Sequence, residues 1–230
     1  MDGILAVSTT IQEYLQRQIW WNPKKVRQFY KGQNIAWYQG IKPIDPTIVG
    51  LPKNAFIVTC VANNRKIKGL RYLLESTNYL PPTLPIHFLL IGRKIDTKEN
   101  LELIRSSPYK EQIHILGHRS DVCEILAISK IYVQPSLKEG LGKAILEAMS
   151  MGVPPIATDS GGPKEYIEQL VSGILVPPKN SKEIAKQIQL LYEQEDLRIA
   201  MGQSAKLAVI EKLNIQDSIT KLDELFRSFV

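Results

Sequence analysis

Val133-Gln134-Pro135-Ser136-Leu137-Lys138-Glu139-Gly140-Leu141-Gly142-Lys143-Ala144-Ile145-Leu146-Glu147-Ala148-Met149 reads as a strand, a loop and a helix. Two glycines flank the helix start, expected near Leu141. Glycine permits positive φ and close approach of a ligand to the backbone. The first amides of a helix lack partners, and the dipole adds partial positive charge there. Together these features suit a diphosphate. Glu139 precedes the helix and Glu147 lies inside it, where side chains tilt toward the N-terminus. Both carboxylates can therefore face one ligand at different distances from the phosphates.

Outward from this stretch, apolar runs alternate with helical patterns. The runs are Ala55–Ala62, Ile86–Gly92, Ile113–Gly117, Ile131–Val133, Pro155–Thr158 and Gly173–Val176. Helical patterns follow at Leu70–Leu74, Lys98–Arg105, Asp121–Ile128 and Leu141–Met151, with a short one at Pro163–Gln169. Continuous apolar runs imply strands buried on both faces. Strands alternating with helices imply a parallel sheet with right-handed crossovers. The predicted fold class is α/β: a doubly wound, Rossmann-like parallel sheet, with ligands at the carboxyl ends of its strands. C-terminal helices follow: one opening at an N-cap Ser181, one over Arg198–Leu213, and one from Ile215 to the end.

The first stretch differs. Ile4–Ser8 and Val26–Tyr30 read as strands around a helix over Thr10–Ile19, and Gly32-Gln33-Asn34 as a turn. Residues 1–34 thus form a β-α-β piece too small to bury its own faces. Trp20, Trp21, Phe29 and, just beyond, Trp37 predict burial against something else, a second copy being one solution. Residues 35–54, rich in proline and glycine, read as a linker to the domain at 55–230.

The 230 residues carry 29 Lys plus Arg against 23 Asp plus Glu, a formal charge of +6, which fits an anionic ligand. The basic residues are scattered except around Lys24, Lys25, Arg27 and Lys31, without interleaved aromatics, so nucleic acid is not expected as a partner. Cys60 and Cys123 read as buried thiols. No CxxC or Cys/His cluster suggests a metal site. The sequence shows neither an apolar run long enough to span a bilayer nor a signal peptide, so a cytoplasmic location is the default expectation.

The motif string continues through Gly152-Val153-Pro154, Ala157-Thr158-Asp159, Gly161-Gly162-Pro163, Glu165 and Gly173-Ile174-Leu175-Val176. In this order it resembles the group 1, family-four glycosyltransferases of GT-B fold, well over Ala55 to about Pro178. Ile4–Ser8 and Lys25–Gly32 look like the last strands of that family's N-terminal domain. The resemblance implies a nucleotide-sugar donor held in a cleft, mostly by the C-terminal domain. It implies that Glu139 contacts the donor sugar near its anomeric centre and that Glu147 binds the ribose. The amides of Gly140, Leu141 and Gly142 would meet sugar and β-phosphate, with Ser136 beside them. Lys68 before Gly69 matches the family's Lys-Gly, and Arg65 is the expected arginine, at a shorter spacing than in many members. The two would neutralise the leaving diphosphate. His114 to Asp121 resembles the segment whose backbone, at Gly117 and His118, holds the base. His87 and His114 read as packed strand residues, Asp159–Gly162 as the pocket rim, and Glu165 as a helix-start acid without further role.

The implied reaction is retaining transfer to a glycan or lipid-linked acceptor, as in polysaccharide assembly, without a metal or other cofactor. Loose attachment to the inner face of a membrane is a family-level expectation. The groups of the facing acceptor domain are not among these residues. Three readings therefore stand: the donor half of an enzyme, a subunit working with a separate acceptor-binding partner, and a non-catalytic nucleotide-sugar-binding module. A dinucleotide-binding protein is disfavoured, because Asn63-Asn64-Arg65-Lys66-Ile67-Lys68-Gly69 lacks GxGxxG.

Overall fold

The computed structural model describes residues 3–18 and 22–227. A short parallel pair, β1 (Ile4–Ala6) and β2 (Val26–Gln28), brackets α1 (Thr9–Gln18). After α2 (Ile35–Gln39) the main domain runs β3 (Phe56–Val61), α3 (Leu70–Ser76), β4 (Ile86–Ile91), α4 (Lys98–Ser106), β5 (Ile113–Gly117) and α5 (Val122–Leu126). It continues with β6 (Ile131–Gln134), α6 (Lys143–Ser150), β7 (Pro155–Thr158) and β8 (Ile174–Val176). Helices α7 (Ser181–Glu193), α8 (Glu195–Lys212) and α9 (Ile215–Arg227) close the chain.

The main sheet is parallel and ordered β5-β4-β3-β6-β7-β8. From β3 the chain winds outward to β5, then returns beside β3 as β6 and winds the other way. That reversal opens a crevice between the carboxyl ends of β3 and β6, where a doubly wound sheet binds its ligand. Continuous apolar strands have both faces covered: β6 and β7 are buried throughout, and β3 and β4 nearly so. One face packs Phe88, Leu90, Val133 and Ile156 against α3 and α7. The other packs Tyr132, Ala157, Leu146 and Met149 around α6 and α8. Both cysteines are buried and unbridged.

Residues 35–54, read as a linker, pack on the main domain: besides α2 they hold a 3₁₀ turn over Pro46–Val49, and Val49 and Leu51 join Ile57, Leu89 and Ile125 in a core cluster. Two expectations are corrected. The N-cap of α7 is Asn180, which accepts from the Glu183 amide at 3.0 Å, while Ser181 is buried and donates to Glu75. The turn after β7 is a 3₁₀ segment over Gly162–Glu165, not a helix reaching Gln169. The sequence reading's Ile19, Trp20 and Trp21 lie outside the described residues. Phe29 is half-buried, whereas Trp37 is exposed and meets Tyr38 edge-on.

The N-terminal piece leans on the main domain. The Glu165 carboxylate accepts from the amides of Thr9 (2.8 Å) and Thr10 (2.9 Å), the Thr10 hydroxyl (2.9 Å) and the Tyr30 hydroxyl (2.5 Å). It supplies acceptors to the first amides of α1 from across the fold. Burial alone would raise its pKa. The hydrogen bonds from Tyr30, Thr10 and Thr9 outweigh that and hold the carboxyl below its ordinary value. Glu165 is thus a tether rather than an idle helix-start acid. The chain's end returns to the same piece, with the Gln33 amide on the Leu213 carbonyl (2.7 Å) and the Ile215 amide on that of Gln33 (3.1 Å).

Candidate donor-binding site

Lys68 and Glu139 meet at the crevice. Lys68 enters at the end of the loop after β3, just before Gly69, whose positive φ of 63° and close approach to the Pro135 carbonyl leave no room for a Cβ. Lys68 Nζ lies 2.8 Å and 3.1 Å from the two oxygens of Glu139. Glu139 also accepts from Ser136 Oγ at 2.9 Å, and Ser136 in turn accepts from Gln134 Nε2 at 2.8 Å. Gln134 is fixed by the buried Tyr132 hydroxyl. A buried row of donors thus aims the carboxylate. The Glu139 side chain is 10% exposed, so its charge lies at the protein's edge of the cleft and not in open water.

The backbone around Glu139 is clamped by the loop after β7. The Glu139 amide donates to the Ser160 carbonyl at 2.9 Å, and the Gly162 amide donates to the Glu139 carbonyl at 3.0 Å. Gly161 has φ +129°, and a Cβ on Gly162 would sit 1.5 Å from the Gly140 carbonyl oxygen. The consecutive glycines let one loop lie flat against the other. The Tyr166 hydroxyl donates to the Leu141 carbonyl at 2.6 Å. Gly142, at φ +76°, is the residue before α6, so the helix starts at Lys143 and not at Leu141.

A cleft of about 420 Å³ opens here. Lys68, Glu139, Gly142 and His118 line it, together with Asn63, Gly92, Arg119, Gln134 and Lys143. Gly117 ends β5 at φ +67° and belongs to the adjoining hollow, which His118 shares. Glu147 sits one turn into α6, ion-paired with Lys143 at 3.0 Å and largely buried. Ser136 is buried and reaches the cleft only through Glu139. Gly140 faces Val7 and Ile11 of the N-terminal piece. Arg65 lies on the far side of the β3–α3 loop, lining a different cavity. Asp159 is exposed, and its amide donates to the Val176 carbonyl at 2.8 Å.

Asn63, Arg119 and Lys143 were not singled out in sequence. Lys143 carried a signal: it is the first residue of a glycine-capped helix, where a cation meets an incoming anion. Arg119 is pinned to Asp121 by paired contacts of 2.8 Å and 2.6 Å, which hold it at the rim. The described residues hold no group of three or more His, Cys, Asp or Glu placed for a metal. None of their helices is long and apolar enough to cross a membrane. Chemically, the cleft offers Lys68, the start of α6 and the Glu139 carboxylate, with Glu147 one turn behind, a set suited to a diphosphate joined to hydroxyl-rich groups.

The family model described as glycosyl transferases group 1 matches residues 42–208. The N-acetyl-alpha-D-glucosaminyl L-malate synthase of Bacillus anthracis is 27% identical over 177 residues, 77% of this chain and 46% of that protein. The N,N'-diacetylbacillosaminyl-diphospho-undecaprenol alpha-1,3-N-acetylgalactosaminyltransferase of Campylobacter jejuni is 32% identical over 151 residues, 65% of this chain and 39% of that protein. The chain thus spans less than half the length of these curated relatives. Among solved structures, Anabaena HepE in complex with UDP and glucose superposes with a TM-score of 0.88 at 22% identity, covering 99% of this chain and 63% of that one.

Proposed function

Since the chain belongs to the group 1 glycosyl transferases, we propose that its main domain is the donor-binding side of a retaining glycosyltransferase using a nucleoside-diphosphate sugar. The Lys68–Glu139 pair at the switch point carries the proposal. A site for a neutral nucleoside alone has no need of that cation beside the helix start.

On this reading the base rests on backbone at Gly117 and His118, and Glu147 accepts hydrogen bonds from the ribose hydroxyls. The diphosphate lies against Lys68 and the first amides of α6. Glu139 faces the sugar hydroxyls near the anomeric carbon. The bond from that carbon to the β-phosphate oxygen breaks, and its electron pair leaves with the diphosphate. Lys68 and the helix start stabilise the growing negative charge, while Glu139 lies beside the positive charge of the oxocarbenium-like sugar. The acceptor hydroxyl attacks from the same face and gives its proton to the departing diphosphate oxygen. No metal ion enters this scheme.

The body of the acceptor belongs to a wall that these residues do not build, in the same polypeptide or in a partner. A glycan or lipid-linked acceptor, in polysaccharide assembly at a membrane's inner face, is the class proposed. Leu5, Val7 and Tyr14 expose apolar surface on the N-terminal piece, and the proposal gives that surface to the same wall or to a second copy. The alternative reading is a non-catalytic nucleotide-sugar-binding module, or a subunit that works with a separate acceptor-binding partner.

Calorimetry with UDP, GDP and ADP tests the donor site. At least one should bind below millimolar, and Glu147→Ala should weaken it by about 1–3 kcal/mol. Failure of all three to bind overturns the assignment. Transfer after adding a relative's acceptor domain separates the enzyme from the silent module.

A further inference from the structure

A larger hollow than the donor cleft stands among the described residues. It lies across the β3–α3 loop from it, a cavity of about 570 Å³ between that loop and the start of α4. Arg65, Lys66, Arg71 and Lys98 line it, with Glu99 the one acid among its lining residues. Arg71 is engaged by Glu75 at 2.8 Å and lies 3.7 Å from Glu99. Arg65, Lys66 and Lys98 have no ion pair among the described residues. Three uncommitted cations around one concave surface raise the local potential and draw anions.

The floor is built. Asn100 is 4% exposed and donates to Asn64 Oδ1 at 3.2 Å and to the Ile95 carbonyl at 2.8 Å, tying the two loops together beneath the cations. Thr97 caps α4 by accepting from the Asn100 amide at 3.4 Å. The same short loop thus presents Asn63 and Lys68 to the donor cleft and Asn64, Arg65 and Lys66 to this cavity. Leu137, two residues before Glu139, is part of the cavity's wall.

We propose that this cavity is a second anion site, which takes the phosphoryl or diphosphate group of the acceptor substrate and not that of the donor. Calling the ligand an acceptor rests on the donor-site reading, whereas the anion site itself does not. The arrangement lets one loop hold two polyanions apart: Lys68 faces the leaving diphosphate on one side and Arg65 faces the acceptor's phosphate on the other. Leu137 in this wall and Glu139 in the donor cleft belong to one loop, so the two hollows flank the same segment. Arg65 is thereby moved from the donor's diphosphate, where the family resemblance put it, to the acceptor's.

The test uses the full chain, isotope-labelled, with UDP at saturation before inorganic pyrophosphate is titrated in. Saturable shifts at the amides of Asn64, Lys98 and Asn100, with those of Gly142 and His118 unmoved, support the site. Arg65→Gln with Lys98→Gln should weaken pyrophosphate roughly tenfold or more while UDP affinity is unchanged. Farnesyl diphosphate binding more tightly than pyrophosphate assigns the group to a lipid-linked acceptor, and equal binding to a soluble one; both support the site. Three results overturn it: pyrophosphate excluded by UDP, sulfate binding as tightly as pyrophosphate, or full affinity in the double variant. If UDP itself does not bind, the donor reading fails separately, and pyrophosphate without UDP still tests the cavity.

Discussion

Lys68 and Glu139 neutralise each other in a cleft that keeps most of both side chains from water. Lys68→Ala therefore removes the cation proposed to meet the diphosphate and also leaves Glu139 with only Ser136 as a side-chain donor. UDP affinity should fall by about 1.5–3 kcal/mol by calorimetry, and thermal stability should fall with it. Lys68→Arg should restore stability more fully than affinity, because the planar fork cannot occupy a site shaped for a point charge. At Gly162 the constraint is steric. An alanine there drives Cβ into the Gly140 carbonyl 1.5 Å away, so Gly162→Ala should cost roughly 3 kcal/mol or more in chemical denaturation. These residues differ in how openly the sequence displayed them. Glu139, Gly142, Glu147 and Lys68 stood in a motif. Ser136 also stood there, but its burial, which makes it a support for Glu139, depends on Gln134 two residues before it and on Thr158 from the neighbouring strand β7. Arg65 and Asn63 lie two residues apart on one turn, and which of them lines the Glu139 cleft is decided by the loop's path.

The strands of the main sheet were legible because burial on both faces demands unbroken apolar runs, and the structure places six strands within a residue or two of those runs. The stretch at 35–54 was not. Its prolines and glycines suit a loop and a 3₁₀ turn equally, and only the long-range packing of Val49 and Leu51 on β3, β4 and α5 decides between them. The tether at Glu165 was equally hidden, because its partners Thr9, Thr10 and Tyr30 lie more than a hundred positions away. Glu165→Ala removes four hydrogen bonds and should loosen α1, read as faster proteolysis within residues 7–34 while the sheet stays folded. Glu165→Gln should recover only part of the loss. The folded-state pKa is depressed, so the carboxylate's contribution is present above the ordinary carboxyl range and is lost as pH falls through the lower, folded value. Protection of α1 in hydrogen exchange should fade at that acid end, and a pH-independent α1 would count against the tether.

At the scale of the whole molecule, the sheet has a weak margin on the β5 side. His87 Nδ1 and His114 Nε2 are 3.1 Å apart on neighbouring strands, with the rings stacked. Burial lowers both pKa values, and for His114 the neighbouring His87 adds to the effect. Between the ordinary value of 6.5 and the lower folded values, the unfolded chain binds more protons, so stability falls as pH drops through that window. The melting temperature should be flat above about pH 7 and decline toward about pH 5, and His114→Asn should flatten that decline. An unchanged slope in the variant would move the pH sensitivity elsewhere. The interlocked glycine loops carry a lesson of another kind. Because Gly161 and Gly162 lie against the backbone of Glu139 and Gly140, the segments 136–142 and 159–163 form one part with two stretches of chain. Anyone transplanting donor preference from a relative would have to move both stretches together. A library that diversifies one alone would mostly sample broken seams instead of new sugars.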